Sequence, residues 1–118
     1  MIQSFRDLEV YKRSYKAALE MYRIALAWTK EEQFGLTSQV KRASTSIPLN
    51  IAEGYGKRES VAEFKRFLLM AIGSCDEMKV LLDFAKDLGF IEADIYSRYQ
   101  QEYEEIGKML YRLRERWK

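Results

Sequence analysis

The chain has 118 residues, with 20 Lys and Arg against 18 Asp and Glu, for a formal charge of +2. At 47% hydrophobic and 32% charged it reads as one soluble globular domain over residues 1–118, not as a disordered segment. It contains no His and one Cys, which excludes Ser–His and Cys–His catalysis, His-ligated zinc or di-iron sites, iron–sulfur clusters and intrachain disulfides.

Apolar spacing is helical almost throughout. The first segment, about Asp7 to Thr29, places Leu8, Tyr11, Tyr15, Ala18, Tyr22 and Ala25 or Leu26 on one stripe at steps of three and four. A polar joint, Lys30 to Gly35, follows. The second segment, from Leu36 or Thr37 to Glu53, carries the stripe Leu36, Val40, Ala43, Ile47 and Ile51. Thr37 is the expected N-cap and Gly54 the expected left-handed C-cap. Pro48 lies inside this helix and cannot donate to the Ser44 carbonyl, so a bend or a division into two shorter helices is expected there. Ser44, Thr45 and Ser46 are at hand for the freed backbone groups.

Ser60 and Glu63 form a capping box that opens the third helix. Its stripe is Phe64, Phe67 or Leu68, Ala71, Cys75, Met78, Leu82 and Ala85, and Leu88-Gly89-Phe90 reads as its end. The fourth helix, about Glu92 to Arg116, has Ile95, Tyr99, Tyr103, Ile106, Leu110, Leu113 and Trp117 at steps of four and three. Its acidic start and basic end complement the helix dipole. No useful period-two segment appears. The expected fold is therefore all-α, an antiparallel up-down-up-down four-helix bundle with helix two bent near Pro48.

Charge is unevenly spread. Residues 1–58 carry ten basic and six acidic side chains, and residues 59–118 carry ten basic and twelve acidic. The best candidates for a phosphate-attracting surface are Lys12, Arg13, Lys16 and Arg23 on helix one, with Arg112, Arg114 and Arg116 on helix four. Tyr11, Tyr15 and Tyr22, and Tyr96, Tyr99 and Tyr103, have the chemistry to stack on bases, but core or subunit-interface use is the favoured reading.

On helix two, Gln39, Arg42, Ser46, Asn50 and Glu53 recur at helical face spacing and all are polar. They read either as a ligand or nucleic-acid strip, or as a hydrogen-bonded network with a neighbouring helix or subunit. The network is favoured, with Arg42 pairing Glu53 or Glu77 and Asn50 serving backbone near Pro48. Gly54-Tyr55-Gly56 departs from a dinucleotide loop at Glu59 and follows no strand. Lys57 and Arg58 read as a solvated turn. Cys75 reads as a small core hydrophobe. Neighbouring carboxylates such as Asp76-Glu77 do not share a helix face, so no acid–base dyad emerges. No catalytic centre, cofactor or metal is expected.

Phe5-Arg6-Asp7-Leu8-Glu9-Val10, Phe34-Gly35-Leu36-Thr37-Ser38-Gln39, Arg42-Ala43-Ser44 and Ser46-Ile47-Pro48-Leu49-Asn50-Ile51-Ala52-Glu53-Gly54 follow in order. Phe64 with Phe67-Leu68, then Gly73-Ser74 and Glu77, complete a pattern over nearly the whole chain. It closely resembles the four-helix bundle proteins encoded in intervening sequences of bacterial 23S ribosomal RNA genes. The resemblance implies a ring-like homopentamer without enzymatic activity. It also extends to the accessory bundle proteins of diversity-generating retroelements, which use a basic pentamer surface to bind nucleic acid and reverse transcriptase. The family pattern maps onto Gln39, Arg42, Ser46, Asn50, Glu53 and Glu77, in keeping with a structural network.

Two functions follow as expectations. One is a homo-oligomeric adaptor that binds structured RNA or an RNA/DNA hybrid through its basic face. The other is a protein-interaction scaffold that grips a partner helix in an apolar groove, with no nucleic-acid role. Met1 to Asp7 does not resemble a signal peptide and no apolar run reaches bilayer length, so the cytoplasm is the expected compartment, without membrane contact.

Overall fold

Ser4 and Asp7 start the fold with a reciprocal cap. Ser4 Oγ accepts from the Arg6 N–H at 3.1 Å, and Asp7 Oδ2 accepts from the N–H groups of Gln3 and Ser4 at 2.8 and 3.1 Å. These bonds hold the Asp7 carboxyl below the usual carboxylate range. The capped 3₁₀ turn Phe5–Asp7 leads into α1, Glu9–Leu26. The computed structural model describes residues 1–32 and 35–118; Gln33 and Phe34 of the first joint lie outside the described residues. After a second 3₁₀ turn, Lys30–Glu32, come α2 (Leu36–Gly56), α3 (Val61–Asp87) and α4 (Ala93–Arg116). No strand occurs among the described residues, and no helix is long and apolar enough to cross a membrane.

Side-chain contacts set the direction of each pair. Between α2 and α3, Arg42 meets Glu77, Ser46 meets Ser74 and Gly54 faces Phe67, so one number rises as the other falls. Between α3 and α4, Lys79 meets Glu104 and Asp83 meets Tyr96. Between α1 and α4, Arg13 meets Glu102 and Glu20 meets Tyr99. Neighbouring helices therefore run in opposite senses. Backbones of α1 and α3 make no approach within 8 Å, nor do those of α2 and α4, which puts these pairs at opposite corners of the bundle.

The stripes of α2, α3 and α4 enter the core. Val40, Ala43, Ile47 and Ile51 are fully buried, as are Phe64, Leu68, Ala71, Met78 and Leu82, and Tyr103, Ile106 and Leu110. Each large aliphatic residue so buried contributes about 1.5–3 kcal/mol of transfer free energy. Aromatic pairs close both ends. Trp117 packs edge-on to Phe64 at 4.7 Å, and Trp28 stacks on Phe90 at 5.4 Å.

Helix one follows its sequence expectation only in part: Leu8, Ala18 and Ala25 of the expected stripe are buried and Tyr11 packs against the core. Its buried face is Val10, Ser14, Ala17, Ala18, Met21 and Ala25, whereas Tyr15, Tyr22 and Leu26 are exposed. The core is already filled by three larger stripes, and α1 fits against it with small side chains and one Met.

The helix-two caps also differ. Gly35, not Thr37, holds the N-cap position; Thr37 lies in the first turn with its hydroxyl buried and without a partner among the described residues. Gly54 does not end the helix, which runs on through Gly56. A Cβ at Gly54 would sit 2.6 Å from Phe67 Cβ and 3.1 Å from Phe64 Cδ1. Gly54 is therefore the point of close approach between α2 and α3. Pro48 stays inside one continuous helix rather than dividing it.

Ser60 caps α3 by accepting from the Glu63 N–H at 3.2 Å, but the expected capping box is only half formed: the Ser60 N–H donates to the Lys57 carbonyl and the Glu63 carboxylate pairs with Arg66. The other end of α3 is a Schellman turn: Gly89 has φ +84°, Phe90 N–H donates to Ala85 O at 2.8 Å, and Gly89 N–H donates to Lys86 O at 3.0 Å.

Candidate functional site

The seven basic candidates on α1 and α4 do not form one open cluster. Arg13 makes a forked pair with Glu102 at 2.8 and 3.0 Å. That hydrogen bond raises the Arg13 guanidinium above its ordinary pKa. Lys12 pairs with Glu9 at 3.3 Å, Arg112 with Glu105 at 3.5 Å, and Arg114 with Glu115 at 3.7 Å. Lys16, Arg23 and Arg116 have no carboxylate partner among the described residues. Four of the seven cations are thus answered locally, which weakens their summed field.

Their positions also separate. Arg112 and Arg116 line a shallow groove of about 260 Å³ with Leu8, Glu9 and Leu113, where α1 begins and α4 ends. Glu9 brings Lys12 to that same end. Lys16 lies further along, in a small pocket of about 90 Å³ with Glu20, Arg98 and Glu102. Arg23 is in the last turn of α1, roughly 16 Å along the axis from Lys12 by helical rise.

The polar stripe of α2 divides as well. Arg42 pairs with Glu77 of α3. Ser46 Oγ lies 2.7 Å from Ser74 Oγ and donates to the Ala43 carbonyl at 2.7 Å. Asn50 Nδ2 donates to the Ser46 carbonyl at 2.9 Å. Ser44 bonds the Lys41 carbonyl, and Thr45 those of Lys41 and Arg42. These bonds serve the carbonyls of Lys41, Arg42, Ala43 and Ser46 and stay within the chain. Gln39 and Glu53 are exposed, without side-chain partners among the described residues. Ser74 and the carboxylates Glu102 and Glu105 were absent from the sequence-derived sites. Contact between helices reveals Ser74 and Glu102, whereas Glu105 lies seven positions before its partner Arg112 on the same helix.

A further concavity lies between α1 and α2. It is an open groove of about 430 Å³. One wall is Tyr11, Tyr15, Ala18, Leu19 and Tyr22, with Phe5 at its end, and the other is Thr45, Pro48, Leu49 and Ala52. Tyr15, Leu19, Tyr22 and Leu49 are each at least two-fifths exposed. Arg6 lies 4.6 Å from the Phe5 ring centroid, and Lys41 Nζ lies 4.6 Å from that of Tyr22. The groove is apolar along its floor and cationic at both ends. Leu19 and Leu49, both outside the expected core stripes, were its signal in the sequence.

Other reactive groups are shut away or engaged. Burial pushes the Cys75 thiol up to about 12, so it is neither thiolate nor accessible at neutral pH. Tyr99 and Tyr103 are core residues, and the Tyr96 hydroxyl donates to Asp83 at 2.6 Å. Arg58 bonds the Tyr55 carbonyl at 2.9 Å and lies over the Tyr55 ring. No group of three or more Cys, Asp or Glu side chains suited to a metal occurs among the described residues. The arrangement offers exposed surfaces for association.

One solved structure superposes closely: a protein of unknown function from the S23 ribosomal protein family of Bacteroides thetaiotaomicron. It shares 24% identity, covering 90% of this chain and 95% of its own, with a TM-score of 0.81. At that identity the likeness establishes the fold. No curated protein matches the chain. The family model of the 23S rRNA-intervening sequence protein matches residues 6–112. With that match spanning nearly all of a chain whose four helices and Pro48-containing α2 are now described, the protein belongs to the 23S rRNA-intervening sequence protein family.

Proposed function

We propose that this protein is a non-enzymatic homo-oligomer in the cytoplasm whose work is binding, with the open α1/α2 groove as its principal contact surface. The groove carries the reading. Tyr15, Leu19, Tyr22 and Leu49, all substantially exposed, cluster along this one apolar groove, and clustered exposed apolar side chains mark contact sites for a partner. Five copies is the number that the family resemblance suggests. Sedimentation velocity over a range of concentrations tests the reading. The expected result is a species at an integral multiple of the 14.0 kDa chain; a monomer at every concentration overturns it.

A second reading, binding of structured RNA or an RNA/DNA hybrid, is favoured by one observation. Lys16, Arg23 and Arg116 have no carboxylate partner among the described residues, and Lys12, Lys16 and Arg23 recur along α1 at helical spacing. Such a sparse row binds weakly in one copy, and repetition in an oligomer adds avidity. Anisotropy of labelled structured RNA at low and near-physiological salt tests it. Binding that weakens steeply with salt and is lost in Lys16→Glu/Arg23→Glu supports it. Absence of binding leaves the protein-interaction scaffold.

A further inference from the structure

A second exposed apolar surface runs along α3. Leu69, Val80 and Phe84 are each more than half exposed. With Gly73 they fall within an arc of about 60° by helix geometry. Their steps of four, seven and four make one ridge. Gly73 sits inside this 27-residue helix, and a Cβ added there would meet nothing within 4 Å. A mid-helix glycine costs about 1 kcal/mol relative to Ala. Gly54 offsets that cost through its approach to Phe67, but no contact among the described residues does so at Gly73. An open notch between apolar residues suits the close approach of a helix from outside.

Charge matches the two surfaces to each other. The groove has Arg6 and Lys41 at its ends, neither with a carboxylate partner among the described residues. The ridge is flanked by the exposed carboxylates of Asp76, which pairs with Lys79, Asp83, which accepts from Tyr96 and Gln100, and Asp87, which has no cationic partner among the described residues. The surfaces lie on different sides of the bundle, because α1 and α3 occupy opposite corners. A chain therefore cannot bring its own ridge to its own groove.

We infer that the α1/α2 groove of one copy receives the α3 ridge, notched at Gly73, of a second copy. The inference rests on the self-association proposed above and names its surfaces and direction. The contact is head-to-tail: each pair leaves one groove and one ridge unused, so addition continues until a ring closes or a filament grows.

Complementary variants test it. A groove variant, Tyr15→Glu with Leu49→Glu, keeps its ridge. A ridge variant, Leu69→Glu with Phe84→Glu, keeps its groove. All four side chains are exposed, and retention of helical circular dichroism checks folding. Each variant alone is expected to be monomeric. Mixed, they are expected to form a dimer of twice 14.0 kDa and nothing larger. A monomeric wild type overturns self-association itself. A wild-type oligomer whose variants still assemble alone, or whose monomeric variants fail to pair, overturns only this assignment of surfaces. Gly73→Phe serves if a double variant does not fold. It is expected to weaken assembly by about tenfold or more while the monomer keeps its helix content, and unchanged assembly overturns the notch.

Discussion

Helices α1 and α4 are neighbours with similar amphipathic sequences, yet α4 buries Tyr99 and Tyr103 where α1 exposes Tyr15 and Tyr22. In α4, Tyr99 and Tyr103 continue into Ile106 and Leu110, and all four are buried. In α1, Tyr15 and Tyr22 stand outside, while Ala17, Met21 and Ala25 face the core. A helix with one apolar stripe has no choice of face. A helix with two buries the stripe that fits and leaves the other for contacts outside the chain.

Truncation of the two stripes separates them most sharply. Ile106→Ala is expected to cost about 2–5 kcal/mol of unfolding free energy, because it opens a cavity in a fully buried layer. Tyr22→Ala is expected to change the monomer's stability by less than about 0.5 kcal/mol. Chemical denaturation of each variant under monomeric conditions measures both. Similar losses would place the α1 aromatic stripe in the core.

The next effect is alkaline. The Cys75 thiol is held neutral up to about 12, against an ordinary value of 9.0, and burial raises the Tyr103 phenol as well. Both groups ionise more readily in the unfolded chain, which therefore binds fewer protons above pH 9. Stability is full below pH 9 and falls as pH rises from about 9 toward 12, by a few kcal/mol for the thiol (~3 pH units). Melting temperature across that range measures the loss, and Cys75→Ala is expected to flatten its lower part. A flat wild-type profile would place Cys75 outside the dry core.

Two of the helical glycines, Gly54 and Gly73, make a smaller contrast. Gly54→Ala is expected to cost about 1–3 kcal/mol through overpacking against Phe67. Gly73→Ala is expected to stabilise the monomer by up to about 1 kcal/mol. Thermal melts of the monomer give opposite signs. A gain from both would remove the close approach at Gly54. Smallest is Arg13→Ala, expected to cost about 0.2–1 kcal/mol because its Glu102 pair is partly exposed. A larger loss would make the α1/α4 seam an organising element of the fold.

What could be read from the sequence follows how local each cause is. The stripes of α2, α3 and α4 were legible because period alone selects them. So were the Ser60 cap and the Gly89 turn, which depend on residues a few positions apart. The α1 face was partly misread because Tyr outweighs Ala and Ser in any apolar pattern, and the choice between faces is made by three other helices. Gly54 was misread for a related reason: its cause is Phe67, thirteen positions on and in another helix. The basic candidates were legible as charges, but the Glu102 pair that blunts Arg13 depends on how α1 and α4 register, while the Glu105 pair that blunts Arg112 spans two turns of α4 itself. The groove was visible in fragments, as tyrosines on α1 and a stray Leu49 on α2, and becomes one surface only when the helices meet.

The two aromatic clamps have an optical consequence. Trp28 stands against Phe90 where α1 and α3 end, and Trp117 stands against Phe64 and Tyr55 where α2 ends and α3 begins. They are the chain's two tryptophans, so each end of the molecule holds its own intrinsic fluorophore. Replacing one with Phe leaves emission from the other end alone, and comparing the two unfolding curves shows whether the bundle melts as one cooperative unit or frays from one side.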